Sequence, residues 1–167
     1  MNKKYYQICT VLAVVAMLFV LVSSSASARP FTTDFTGIET VLSIPDPGES
    51  AVIDGKLHIT GLVNVVEDIA DDPRVSGTSR VVINGILDLD DNLSGPVWGS
   101  YYLENAGGSW RGTWTGERTT EGFLYLRMEG HGGGGYRGMS AWWNVERLSP
   151  DPLAPASMYG YILDPGQ

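Results

Sequence analysis

Nine residues, Gly108-Ser109-Trp110-Arg111-Gly112-Thr113-Trp114-Thr115-Gly116, constrain the fold more than any other part of the chain. Read with a period of two, they place Gly108, Trp110, Gly112, Trp114 and Gly116 on one face and Ser109, Arg111, Thr113 and Thr115 on the other. Side chains alternate in this way across a β-strand and never across a helix. Glycine interleaved with tryptophan lays large rings over bare backbone, a device of sheets that bend or close on themselves.

The same alternation recurs along the chain. Residues 57–65 carry Leu57, Ile59, Gly61, Val63 and Val65 on one face, and residues 81–89 carry Val81, Ile83, Gly85, Leu87 and Leu89. Further strands are predicted over 97–104, 109–116, 123–130, 136–147 and 158–163, with a weaker one over 39–43, about eight in all. The gaps are rich in Asp, Asn, Gly and Pro, as hairpin turns require. Many short strands with turn-sized gaps imply an antiparallel meander. Eight strands can close into a barrel just wide enough for side chains or one ligand, and closure removes the edges that invite aggregation. The expected fold is all-β, a small antiparallel up-and-down β-barrel of about eight strands. Residues 29–37 read as a flexible lead. Residues 149–155 hold three prolines and read as a connection outside the sheet.

Residues 1–28 read as an export signal: Lys3 and Lys4 at the start, an uncharged apolar run over 8–22, and a small-residue box at Ala26-Ser27-Ala28. The 15-residue run falls short of the roughly 20 needed to span a bilayer, so cleavage after Ala28 is expected rather than retention as an anchor. A secreted or periplasmic location follows. The lone Cys9 lies inside the run and leaves with it. Residues 29–167, 139 in all, then form one domain. Without cysteine it has no disulfide, thiol chemistry or cysteine zinc site, and is held by its core alone. Lys3 and Lys4 gone, nine Lys+Arg face 19 Asp+Glu, a formal net charge of −10. That balance disfavours nucleic acid and anionic membrane surfaces, which are held by basic clusters. Oligomerisation is left open.

Several motifs invite a chemical reading. His131-Gly132-Gly133-Gly134-Gly135 has the look of an oxyanion-hole glycine run, but Gly138-Met139-Ser140-Ala141-Trp142 lacks the closing glycine of a nucleophile elbow. A glycine-rich bulge or hairpin is the better reading. Asp88-Leu89-Asp90-Asp91-Asn92 fails the calcium-loop pattern, having Leu93 at the sixth place and Gly99 at the twelfth. That segment and Glu67-Asp68 with Asp71-Asp72 read as solvated turn residues. His58 and His131 are too few and too far apart in sequence to suggest a metal site, and no cofactor is expected. In residues 123–129 Leu124, Leu126 and Met128 face one way and Phe123, Tyr125, Arg127 and Glu129 the other. Turned inward, Arg127 and Glu129 would be buried charges that must pair or bind something polar; turned outward, the reading preferred here, they form a surface pair. Tyr125, Arg127 and Glu129 are the candidate catalytic residues. Trp98, Tyr101, Trp110, Trp114, Tyr136 and Trp142 are the candidate ligand-binding residues, because pockets are mostly apolar with a few polar anchors.

Trp98-Gly99-Ser100-Tyr101, the stretch from Gly108 to Gly116, and Gly134-Gly135-Tyr136-Arg137-Gly138 together resemble the glycine–aromatic strands of the barrel shared by allene oxide cyclases, dirigent proteins and related bacterial proteins, over residues 57–163. The resemblance implies a barrel that binds a hydrophobic or reactive small molecule and in some members steers its cyclisation by shape. No cyclase catalytic residue maps onto a position here. Three functions are therefore expected to compete: a barrel binding a small apolar or aromatic molecule; a cofactor-independent isomerase or cyclase in the same cavity; and an interaction protein whose barrel is filled.

Overall fold

The computed structural model describes residues 30–166, and the export signal read over residues 1–28 lies outside them. Strand β1 is Phe31–Asp46, β2 Glu49–Ile53, β3 Lys56–Ala70, β4 Gly77–Asp88, β5 Gly95–Asn105, β6 Gly108–Arg118, β7 Leu124–Gly134, β8 Ser140–Arg147 and β9 Ala156–Asp164. Each strand from β3 to β9 pairs antiparallel with the next, β9 pairs with β1, and β1 returns to β3. Eight strands thus close an up-and-down barrel, while β2 extends β3 as a short hairpin arm.

Several segments depart from the sequence expectation: β2 has no counterpart in it, residues 136–139 form a turn rather than the start of a strand, and two further departures bear on the interior. Residues 31–37, read as a flexible lead, are the first half of β1 and pair with β9 from Phe31↔Asp164 to Gly37↔Met158. Their Thr- and Asp-rich pattern carries little periodicity; the partner strand from the far end of the chain supplies the order. In β3 a register shift between Ile59 and Leu62 accompanies Gly61, whose φ of 72° is left-handed and whose N–H donates to Asn84 Oδ1 at 3.1 Å. An added residue reverses which side chains face inward. Beyond it Val66 and Asp68, not Val63 and Val65, belong to the inner face: Val66 joins the core cluster and Asp68 is buried.

The interior is built on aromatic rings set against glycine. Trp114 pairs with Gly99, Trp143 with Gly160, and Tyr101 lies across Gly112 toward Gly130. A β-carbon at Gly130 would collide with the Tyr101 hydroxyl, and one at Gly99 would meet the Trp114 ring at 3.0 Å as well as the Val82 carbonyl. Trp143 receives Tyr101 and Phe35 edge-on, at centroid distances of 5.0 and 6.2 Å. Edge-to-face pairs add to the area term of burial, and these three rings tie together β1, β5 and β8.

One end of the barrel is latched. A 3-10 turn at Pro73–Val75 is capped by Asp72, which also pairs with Arg74 at 2.7 Å. Asn105 Nδ2 donates to the carbonyls of Pro73, Arg74 and Ser76, at 3.1, 3.1 and 2.7 Å. Trp110 Nε1 donates to the Arg74 carbonyl at 2.8 Å. Tyr136, in the β7–β8 turn rather than in a strand, stacks on Trp110 and donates to Asn105 Oδ1 at 2.7 Å. At the other end Arg118 reaches the carbonyls of Asn92 and Leu93, and the core is flanked by half-buried Leu57, Ile59, Leu93 and Leu124.

Candidate functional site

The six ring residues expected to line a cavity divide into three groups. Tyr101 and Trp114 face the interior and are buried. Trp110 and Tyr136 are buried too, but their polar atoms are engaged in the latch. Trp98 and Trp142, contrary to expectation, face outward: Trp98 alternates outward from Val97 and Gly99 and is 39% exposed, while Trp142 lies on the outer wall, stacked on Tyr161 at 5.3 Å. Trp143, next to Trp142, is the β8 ring that enters the barrel. Tyr125, Arg127 and Glu129 also lie on the outer wall, because Leu124, Leu126 and Met128 supply the inner face of β7. They cannot polarise a substrate held in the barrel.

The ionisable groups that do face inward are ones the sequence reading passed over. Glu39 on β1 pairs in register with Asp68 on β3. Asp68 is 5% exposed and accepts a hydrogen bond from Ser79 Oγ on β4 at 2.5 Å. It was expected among solvated turn residues; the β3 register shift turns it inward instead. Burial, reinforced by the neighbouring Asp68 charge and opposed by Arg147, pushes the Glu39 carboxyl up to about 8. Burial also raises Asp68, to about 6, against the Ser79 hydrogen bond that favours its charged form. A carboxylate taken from water without a full partner favours its neutral form in this way.

Other buried polar atoms are unsatisfied. The Tyr101 hydroxyl and Trp114 Nε1 are buried without a hydrogen-bond partner, as are Asn64 Oδ1 and Arg147 Nε. Burial, with Asp68 adding to it, drives the Tyr101 hydroxyl well above the usual phenol range. It is a donor at any physiological pH. Arg147 lies toward the half-covered end of the barrel, in register with Leu124, which is in turn in register with Arg118. Burial and the nearby Arg118 charge hold the Arg147 guanidinium below its ordinary value, while its Nη1 donates to the Pro152 carbonyl at 3.0 Å.

Buried polar groups are normally paired, and exceptions call for an explanation. Here one interior offers two adjacent carboxyls that burial holds toward their neutral form, a phenol donor and an indole donor among apolar rings. Such a set can orient a small molecule by hydrogen bonds or move a proton on it. The acidic turns hold no comparable set: Asp88 and Asp91 bond to Asp90 N–H and Ser94 Oγ, Asp71 binds Thr36, and Asp72 caps the 3-10 turn. Among the described residues no group of three or more His, Cys, Asp or Glu gathers as a metal site. His131-Gly132-Gly133-Gly134-Gly135 forms the end of β7 and its turn into β8.

Fold and interior define a closed all-β barrel with an aromatic core and an internal carboxyl pair. Comparison with protein-family models, curated proteins and solved structures finds no match for this chain.

Proposed function

We propose that this chain is an exported barrel that binds a small hydrophobic or aromatic molecule in its interior. The ligand enters at the end bordered by Leu57, Ile59, Leu93 and Leu124, whose side chains are only half covered. The latched end is closed to it by the 3-10 turn and Tyr136. One observation carries the reading: the Glu39–Asp68 pair and the unpartnered Tyr101 hydroxyl lie in an interior built mainly of apolar and aromatic side chains. An apolar core with no ligand to orient is more stable without buried carboxyls. Arg118 and Arg147 stand near the entrance and suit a ligand with an anionic end. This agrees with what the resemblance to allene oxide cyclase and dirigent barrels implies. The aromatic layer occupies much of the interior, so a ligand is small or shifts those rings.

The test is a fluorescence titration with an anilinonaphthalene sulfonate probe, an apolar ring system with one anionic group. Saturable one-to-one binding with quenching of tryptophan emission, weakened by Tyr101→Phe and Arg147→Met, is expected. A linear, unsaturated signal refutes the proposal and favours a filled barrel acting as an interaction protein.

A second reading, a cofactor-independent isomerase or cyclase, draws on the same pair. Two adjacent buried carboxyls, both held toward their neutral form, are a recurrent acid–base arrangement, here Glu39 with Asp68. On this reading Glu39→Gln abolishes turnover but preserves probe binding.

A further inference from the structure

The outer wall of the barrel carries side chains that the interior does not use. Antiparallel register brings two rows of outward side chains side by side across β6–β9. One row runs Thr115, Arg127, Asn144, Tyr159 and the other Thr113, Glu129, Trp142, Tyr161. Three strand intervals of about 4.8 Å give the rows a length of roughly 14 Å. Two adjoining troughs of about 620 and 530 Å3 run along them, sharing Arg127, Asn144 and Tyr159. The floor is aromatic: Trp142 and Tyr161 stack at 5.3 Å with their planes 28° apart, and Tyr159 and Tyr161 are 42% and 41% exposed. The Tyr159 hydroxyl is fixed by donation to Glu146 Oε1 at 2.7 Å. Thr113 Oγ1 donates to Glu129 Oε1 at 3.3 Å. Arg127 forms no ion pair among the described residues.

We infer that this trough binds an uncharged polysaccharide chain. A sugar ring presents an apolar C–H face that stacks on exposed indole or phenol rings, and an equator of hydroxyls that both donate and accept. The trough supplies the matching groups in alternation: flat rings, a guanidinium and an amide as donors, carboxylates and the same amide as acceptors. Charge decides the class of chain. Arg127 is outnumbered by Asp34, Glu117 and Glu146 along the two troughs, and the whole sequence carries −8, so an anionic glycan is repelled. Nucleic acid is repelled for the same reason, although bases also stack on rings.

The experiment titrates the folded protein with four probes, cellohexaose, xylohexaose, mannohexaose and chitohexaose, by calorimetry and tryptophan fluorescence, with oligogalacturonate as the anionic control. At least one neutral probe is expected to bind with a Kd of about 1 mM or tighter. Trp142→Ala and Arg127→Ala each weaken it tenfold or more, and Trp142→Phe restores part of the loss. Binding of anilinonaphthalene sulfonate is unchanged in these variants, which separates this site from the interior one. The inference is overturned if none of the four neutral probes binds, if oligogalacturonate binds as well as they do, or if Trp142→Ala retains full affinity with an unchanged melting temperature.

Discussion

Replacing Glu39 by glutamine removes a titrating proton from the barrel while keeping the side chain's size and hydrogen-bonding capacity. With its carboxyl raised from 4.5 to about 8, native Glu39 holds a proton that the unfolded chain has already released over that interval. More protons are bound in the native state than in the unfolded one, so stability falls as pH rises. The contribution is complete below about 4.5 and lost as pH passes through about 8. At ~1.36 kcal/mol for each pH unit, this interval corresponds to about 5 kcal/mol. Glu39 keeps part of its surface in solvent, which reduces the effect to about 2–4 kcal/mol. Asp68, raised from 3.8 to about 6, acts with the same sign at lower pH. Guanidinium unfolding at pH 5, 7 and 9, followed by tryptophan fluorescence, measures the difference. The wild type should lose stability steadily from pH 5 to 9. Glu39→Gln should lose about 2–4 kcal/mol less over the same range, which makes it the more stable protein at pH 9 relative to its standing at pH 5. The self-repulsion of an acidic chain is common to both and cancels. Parallel curves for the two proteins would refute the burial of the Glu39 carboxyl in the barrel.

Other positions give separate tests. Gly112→Val sets a β-carbon against the Glu129 carbonyl; backbone cannot yield as a side chain can, so the loss should reach or exceed the upper part of about 1–3 kcal/mol, read as a lowered midpoint in the same denaturant assay. Asn105→Ala releases three carbonyls of the latch and the Tyr136 hydroxyl, and should cost about 2–3 kcal/mol while speeding amide exchange in the 73–77 segment before the rest of the barrel. Protein recovered from its native host is expected to begin at Arg29, and N-terminal sequencing that returned Met1 would contradict the proposed export.

How much was legible in the sequence depended on how local each signal was. The inner face of β6 could be read from Gly108 to Gly116 because glycine and tryptophan alternate without interruption, and β4 likewise from Val81 to Leu87. β1 was half lost, since Thr32, Thr33, Asp34 and Thr36 have no apolar period and take their order from β9, more than 120 residues away. The interior carboxyls were lost for a sharper reason. Strict alternation from Leu57 carries Asp68 to the outside, and one register shift at Gly61 reverses it. A glycine inside a strand pattern is a signal of such a bulge, so Gly61 was the clue available. Trp142 and Trp143 pose the same ambiguity in adjacent residues: only pairing across β7–β9 decides which ring enters the barrel. Glu39 carries no sequence mark at all, because its surroundings are made by Asp68 and Arg147 from distant strands.

The claim that a ligand occupies the interior from the half-covered end is tested most directly by the isoleucine δ1-methyl resonances. Ile59 borders that end and Ile83 lies half-buried further in on β4, Ile162 is buried near the latched end, and Ile38, Ile44, Ile53 and Ile69 are exposed outside the barrel. Titration of anilinonaphthalene sulfonate into methyl-labelled protein should shift Ile59 and Ile83 saturably, with contacts from the probe to both methyls. Shifts confined to Ile38, Ile44, Ile53 and Ile69, with Ile59 and Ile83 unmoved, would place the probe on the surface and contradict the account.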